Sequence, residues 1–396
     1  MASKPEKFPI RIEDEVLTDL RKRLGRTRWA ADFGNDDWSY GTNGTYLRSL
    51  VEYWADGFDW EAQQRAINRF DHHRVTIDGV PIHYLAKRGT GPAPIPIILT
   101  HGWPWTFWDY RDLIEPLADP AAHGGDPADA FEVIVPSLPG FGFSTPLRET
   151  GINYWRTADL WHQLMTKTLG YRKFAAHGGD WGAIVTSQLS HKYAPDLYGI
   201  HVSMPVWPGL FAGPRPYDLL GAVLPGLPPE VVPQAIAVER RVASHITAHL
   251  LDPQTLAYGM HDSPVGMLAW LLERWRAWSD CDGDVETRFS RNALLTNATI
   301  FWATEAFGTS ARFYAEAARN PWQPSHDRSP PFEAPAGITL FRKDPTALFP
   351  ETSTSNYKLH HLVTRESGGH FAAAEEPAAL VEDIRATFRN LRLPQE

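Results

Sequence analysis

The order of apolar runs along the 396 residues predicts an α/β protein. It would have a doubly wound, mostly parallel sheet, a helical cap and an N-terminal extension. Three observations predict this. Short apolar runs of buried-strand type, at 95–100 and 131–135, belong to an alternation of strands and helices. A strand, a sharp turn and a helix are built around Gly178-Gly179-Asp180-Trp181-Gly182. The alternation stops between Pro205 and about Pro331, where Pro-rich turns lead to helices, and then resumes. The chain therefore divides into an extension packed on the core (1–72), a core (73–204 with 332–396) and a cap (205–331).

Composition narrows the class. The hydrophobic content of 43% is ordinary for a globular protein. A net charge of −9 with no Lys/Arg block argues against a nucleic-acid partner. The single cysteine, Cys281, rules out an internal disulfide framework and suits a reducing compartment. The start, Met1-Ala2-Ser3-Lys4-Pro5, lacks an apolar signal core, and no run approaches the roughly 20 apolar residues of a membrane span. A soluble, cytoplasmic protein is expected. Oligomeric state stays open, a homodimer included. Asn43-Gly44-Thr45 and Asn297-Ala298-Thr299 match the glycosylation pattern, which has no meaning without secretion.

In chain order, Ile12, Val16, Leu20 and Leu24 recur at helical spacing, with acids early, bases late and Gly25 as the stop. Residues 45–70 read as two more helices, with Asp59 capping the second. Trp29, Trp38, Trp54 and Trp60 are too many aromatics for a loose tail. Asp78-Gly79 between the alternating runs 74–77 and 80–85 signals a hairpin. Gly140 and Gly142 lack the third glycine of a dinucleotide fingerprint and open no helix. The cap should hold helices at 230–249, 265–278, 292–307 and 311–319. Strands at 338–342 and 358–363 precede a last helix beginning near Glu375 and Pro377. Asp280, Asp282, Asp284 and Glu286 imitate a calcium loop, but Val285 stands where the turn glycine belongs. With no zinc pattern either, neither metal nor cofactor is expected.

Gly two before and two after the central residue is the nucleophile-elbow pattern of the α/β-hydrolases. Side chains at those glycines would collide where strand and helix nearly touch. Here the central residue is Asp180 rather than Ser. A carboxyl with a pKa of about 4 is already an anion at neutral pH. It suits displacement at an sp³ carbon, leaving an alkyl ester on the enzyme. An epoxide or alkyl halide fits such a nucleophile better than a carboxylic ester. Hydrolysing the ester needs a base near neutrality. His370, in Gly368-Gly369-His370-Phe371 before the last helix, stands in the expected chain position, whereas His360 and His361 read as strand residues. Asp344, directly after a strand, is the favoured acid to orient it, with Glu351 the rival. Backbone N–H groups of Trp103 and Trp181 fit an oxyanion hole, and Trp103-Pro104 suits a cis bond. Trp103, Pro104, Phe141, Phe143 and Trp181 are the candidate apolar wall of the substrate site.

Taken together, six segments resemble the epoxide hydrolases of the α/β-hydrolase superfamily. They are Arg28-Trp29, His101-Gly102-Trp103-Pro104, Pro139-Gly140-Phe141-Gly142-Phe143-Ser144, His177-Gly178-Gly179-Asp180-Trp181-Gly182, Asp262-Ser263-Pro264-Val265-Gly266 and Gly368-Gly369-His370-Phe371. The similarity is to the branch with an N-terminal extension that includes the microsomal and juvenile-hormone enzymes, and it spans nearly the whole chain. It implies Asp180 as nucleophile, His370 as base and Asp344 as its partner. It also implies two cap tyrosines that protonate the opening epoxide oxygen. Tyr314 matches the second. At the first, this chain presents His245, a candidate second acid, and Tyr258 is not at the motif position. The expected activity is opening of an apolar epoxide to a vicinal diol. A haloalkane dehalogenase shares the Asp nucleophile and the Trp after it, but would not need Tyr314. A catalytically silent ligand-binding hydrolase fold would not need all three triad members.

Overall fold

The computed structural model describes residues 3–211, 228–346 and 353–392. Among these, one sheet contains β1 (Glu6–Lys7), β2 (Asp71–Ile77), β3 (Val80–Lys87), β4 (Ile95–Thr100), β5 (Phe131–Pro136), β6 (Phe174–Gly178), β7 (Leu197–Val202), β8 (Phe332–Phe341) and β9 (Tyr357–Arg365). The spatial order is β1-β2-β3-β5-β4-β6-β7-β8-β9. Pairs from β1 to β5 are antiparallel, and pairs from β5 to β9 are parallel. Asp78 and Gly79 both take positive φ, the turn that joins β2 and β3. β4 and β6 are buried along their whole length, as strands covered on both faces must be. β4 pairs with β5 on one side and β6 on the other, so the winding reverses there. A crevice opens at the carboxyl ends of strands at such a switch point. The segments following β4 and β6 begin with His101 and Gly179.

The extension forms helices Asp14–Gly25, Gly44–Glu52 and Trp60–Ile67, the last capped by Asp59 as expected. Sequence placed this segment on the core, and β1 does pair with β2. The segment also reaches the cap. Trp54 Nε1 donates to Thr299 Oγ1 at 3.0 Å, Thr42 Oγ1 donates to Ala269 O at 2.7 Å, and Arg23 pairs with Asp262 at 2.8 Å. The extension thus meets the sheet through β1 and the cap through Arg23, Thr42 and Trp54.

The cap differs from expectation in detail. The expected helix at 230–249 is two helices, Val232–Val242 and Ser244–Leu251, meeting at Ala243. An unanticipated helix, Pro253–Asp262, follows. The next, Pro264–Trp278, opens on Pro264 with Ser263 capping Gly266 N–H. Helices Arg291–Ala303 and Ala306–Arg319 complete it. The acidic loop is structural. Asp280 pairs with Arg288 at 2.6 Å and accepts from Gly368 N–H at 3.0 Å, while Asp284 caps a turn at Glu286. Among the described residues no group of His, Cys, Asp or Glu is arranged to hold a metal ion, and no helix is long and apolar enough to cross a membrane.

The core contains a chain of uncharged histidines. His177 Nδ1 lies 2.9 Å from His201 Nδ1, and His201 Nε2 lies 3.1 Å from Thr339 Oγ1. Thr339 donates to Asp383, so its oxygen accepts from His201. That leaves His201 Nδ1 as acceptor and His177 Nδ1–H as donor. Asp383 ends the chain in a pair with Arg365 at 2.5 Å. A second buried contact joins His72 Nδ1 and His83 Nε2 at 2.9 Å. Burial pushes His201 down to about 3 and His72 and His101 down to about 4, with His83 and His177 also well below the usual value.

Candidate active site

β6 delivers Asp180 onto the elbow. Its φ of 51° and ψ of −127° are strained for a residue with a side chain. Glycine is required at both flanks. A Cβ at Gly178 would strike the backbone of Gly182, and one at Gly182 would strike the Thr100 carbonyl at the end of β4. The helix Trp181–Tyr193 starts at once. Asp180 Oδ1 accepts from Trp103 N–H at 2.7 Å, and its Oδ2 lies 3.2 Å from His370 Nε2. Trp181 is the first residue of the elbow helix, so its N–H is among those without an intrahelical partner. The Trp103-Pro104 bond is cis.

His370 Nδ1 lies 3.2 Å from both oxygens of Asp344, just beyond β8. Thr346, which sequence reasoning missed, sits between them. Its hydroxyl donates to Asp344 Oδ1 at 2.7 Å, and its oxygen lies 2.7 Å from His370 Nδ1. The rival acid, Glu351, lies outside the described residues. Burial alone would lower the His370 pKa. The charges of Asp344 and Asp180, with their hydrogen bonds, outweigh it and hold the imidazole up at about 10. The resting pair is therefore imidazolium beside carboxylate.

The loop carrying His370 is pinned by a second residue that sequence did not single out. Glu375 accepts from the N–H groups of Gly369 (2.9 Å), Phe371 (2.9 Å) and Asp280 (2.7 Å). His370 N–H donates to Trp278 O at 2.9 Å. His370 is thus tied to the cap through its own backbone.

The cap supplies the groups that face Asp180 and His370. Tyr314, on Ala306–Arg319, packs edge-on to Trp181, with ring centres 4.6 Å apart. Burial, and then the charge of Asp180, push its pKa well above 10, so it stays a neutral phenol. His245, on Ser244–Leu251, stacks on Trp103 with centres 4.8 Å apart, and its Nε2 lies 3.1 Å from the Tyr314 hydroxyl. Burial, then neighbouring His249 and Arg274, hold its pKa well below 6.5. The imidazole is therefore uncharged near neutrality. It can give a hydrogen bond but is a poor source of a net proton. Sequence had not drawn attention to His249, whose i+4 spacing from His245 is the available signal. Its Nε2 accepts from Trp270 Nε1 at 3.2 Å. Tyr258 is 73% exposed and stands outside the site.

The expected apolar wall is only partly assembled. Trp103 and Trp181 both pack on Tyr314. Pro104 accepts from Trp275 Nε1 through its carbonyl at 3.3 Å. Phe141 lies one layer back, against His101 and Phe313, and Phe313 in turn meets Trp181. Phe143 turns the other way, into a cluster with Phe8, His83 and Phe107. An aromatic in a loop can pack to either side, and here the extension provides the partner.

A family model described as "Epoxide hydrolase N terminus" matches residues 5–110, and one described as "alpha/beta hydrolase fold" matches residues 95–204. Epoxide hydrolase 1 of Oryctolagus cuniculus is 31% identical over 398 residues, covering 95% of this chain and 87% of that protein. Juvenile hormone epoxide hydrolase 2 of Ctenocephalides felis is 29% identical over 409 residues, covering 95% and 84%. Among solved structures, juvenile hormone epoxide hydrolase from the silkworm Bombyx mori superposes with a TM-score of 0.81 at 24% identity, covering 98% of this chain and 95% of that one. At that identity the likeness is one of fold.

Proposed function

The chain belongs to the epoxide hydrolases of the α/β-hydrolase superfamily, and from that membership we propose that it opens an apolar epoxide through a covalent ester on Asp180. The observation that carries the reading is the line Asp180–His370–Asp344 lying beside Tyr314. Asp180 attacks an epoxide carbon, and the carbon–oxygen bond breaks. Tyr314 gives its proton to the alkoxide and regains one from the His370 imidazolium by way of solvent. Water then attacks the ester carbonyl carbon while His370 takes its proton, with Trp103 and Trp181 N–H groups holding the oxyanion. Collapse releases the diol and restores the carboxylate. In this division the core (73–204 and 332–396) holds nucleophile and base, the cap (205–331) holds the donor, and the extension (1–72) braces both. A cytoplasmic setting fits a chain whose one cysteine, Cys281, is buried and free.

A single turnover in heavy-oxygen water tests the covalent step. The first diol should carry almost no label, because its new oxygen comes from Asp180, and the label should appear in the enzyme. A fully labelled first diol would mean direct attack of water on the epoxide.

His245 enters as a hydrogen-bond donor to the Tyr314 oxygen, which leaves the Tyr314 hydroxyl proton free for the epoxide. Removing it in His245→Ala should slow alkylation roughly 2–10-fold, the worth of one hydrogen bond. The wild-type alkylation rate, measured before steady state, should show no fall attributable to His245 between about pH 6 and 8. A fall in that range that His245→Tyr abolishes would mean that a protonated imidazole is the acid after all.

A further inference from the structure

A cavity of about 20 Å³, measured as the space a water-sized sphere can occupy, adjoins the nucleophile and the base. Asp109 and Trp105 line it together with Asp180, His370, Tyr110 and Ser203. Three lining residues carry buried polar atoms without a hydrogen-bond partner, Asp109 Oδ1, Trp105 Nε1 and Trp103 Nε1. The carboxyl oxygen is an acceptor and the two indole nitrogens can only donate. Native proteins leave few such atoms unpaired, and a bridging water is the usual remedy. A single water needs about 10–15 Å³ on this measure and two to four polar partners. The neighbouring guanidinium, Arg111, pairs through Nε with Asp112 at 3.2 Å, and its buried Nη1 has no hydrogen-bond partner either; among the described residues no hydrogen bond reaches Asp109 Oδ1, and Asp109 caps no helix.

We propose that this cavity is a water site, held by Asp109 and Trp105, which feeds the water that cleaves the Asp180 ester. The proposal rests on the covalent reading above. The water gives a proton to His370 Nε2 as its oxygen bonds to the Asp180 carbonyl carbon. The ester carbon–oxygen bond then breaks, and the leaving alkoxide takes the proton of the newly formed carboxylic acid. Asp180 returns as carboxylate and His370 as imidazolium, the resting pair. Burial pushes the Asp109 carboxyl up to about 7, against the pull of Arg111 and His370. Near neutrality it can therefore donate as well as accept. Asp109 acts on the water and is a positioning residue.

The test follows the alkyl-enzyme by rapid quench and intact mass, with styrene oxide as the probe, in full-length wild type, Asp109→Asn and Asp109→Leu. Asn keeps a donor and an acceptor at the site, and Leu removes both. In Asp109→Leu the ester should decay about 10²-fold more slowly, the cost of a misplaced reactant, while its formation keeps the wild-type rate. In Asp109→Asn decay should return close to wild type. Any other pattern overturns the water site, including wild-type decay in the Leu variant, equal slowing of both steps, or no rescue by Asn. Absence of an adduct in every protein, a His370→Gln control included, would overturn the covalent reading as well. An adduct that decays normally in Asp109→Leu overturns the water site alone.

Discussion

A His370→Gln variant is expected to alkylate once and stop. In the resting enzyme the imidazole is already protonated, because Asp344 and Asp180 hold its pKa near 10 against burial. Attack by Asp180 needs no base. Once the ester forms, Asp180 loses its charge, and only Asp344 still opposes burial. The His370 pKa must then drop, and a base appears at the moment the second step requires one. Glutamine can fill the space and accept a hydrogen bond, but it cannot take a proton from water. Turnover should fall by about 10²–10⁴-fold, the usual worth of a general base. Intact mass should show an adduct of substrate mass that persists for the length of the assay. Sustained turnover, or bound substrate without an adduct, would remove His370 from the role.

A chain shortened to begin near Arg74 should fail to give a stable soluble protein. The missing segment buries Leu20, Leu24, Leu50, Trp54, Trp60 and Ile67, each less than a tenth exposed. Each such side chain is worth about 1.5–3 kcal/mol of burial. Their sum rivals the roughly 5–15 kcal/mol that holds a whole domain folded. The cut also removes β1 and part of β2, and it strips the cap of the Trp54–Thr299 and Arg23–Asp262 contacts. Thermal melting and size-exclusion chromatography would check this. A monomeric truncation that melts with the full-length protein would show that the extension is an appendage.

The parts legible in the sequence were those written locally. The elbow is a contiguous pattern of strand, glycines and helix, so Asp180 could be read from five residues. His370 and Asp344 follow from chain order and strand ends. Their supports were not legible, because their role lies in contacts across the fold. Glu375 matters through the backbone N–H groups of Gly369, Phe371 and Asp280, and Thr346 through its fit between Asp344 and His370. The extension's amphipathic helices announced that something covers them, but not that the cap is among it. The periodicity of 230–249 runs on across Ala243, so the break there left no sign. His245 could be located by motif, but its charge depends on burial, which only the packed cap supplies.

The interior histidines give this fold a debt to acid. In the folded chain burial holds His72, His101 and His201 neutral down to about 3–4, and holds His83 and His177 well below their ordinary value. In the unfolded chain each binds a proton near 6.5. Their contribution to stability is complete above that value and is lost as pH falls toward the folded values. His370 runs the other way. Its contribution is complete below 6.5 and is lost as pH rises through about 10. Unfolding below pH 6 is therefore proton uptake by several imidazoles together. Each unit of acidity multiplies the unfolded population by a power of ten for every such site. Burial holds the Asp109 and Glu375 carboxyls up at about 7, so those two bind protons in the folded chain first and offset part of that loss.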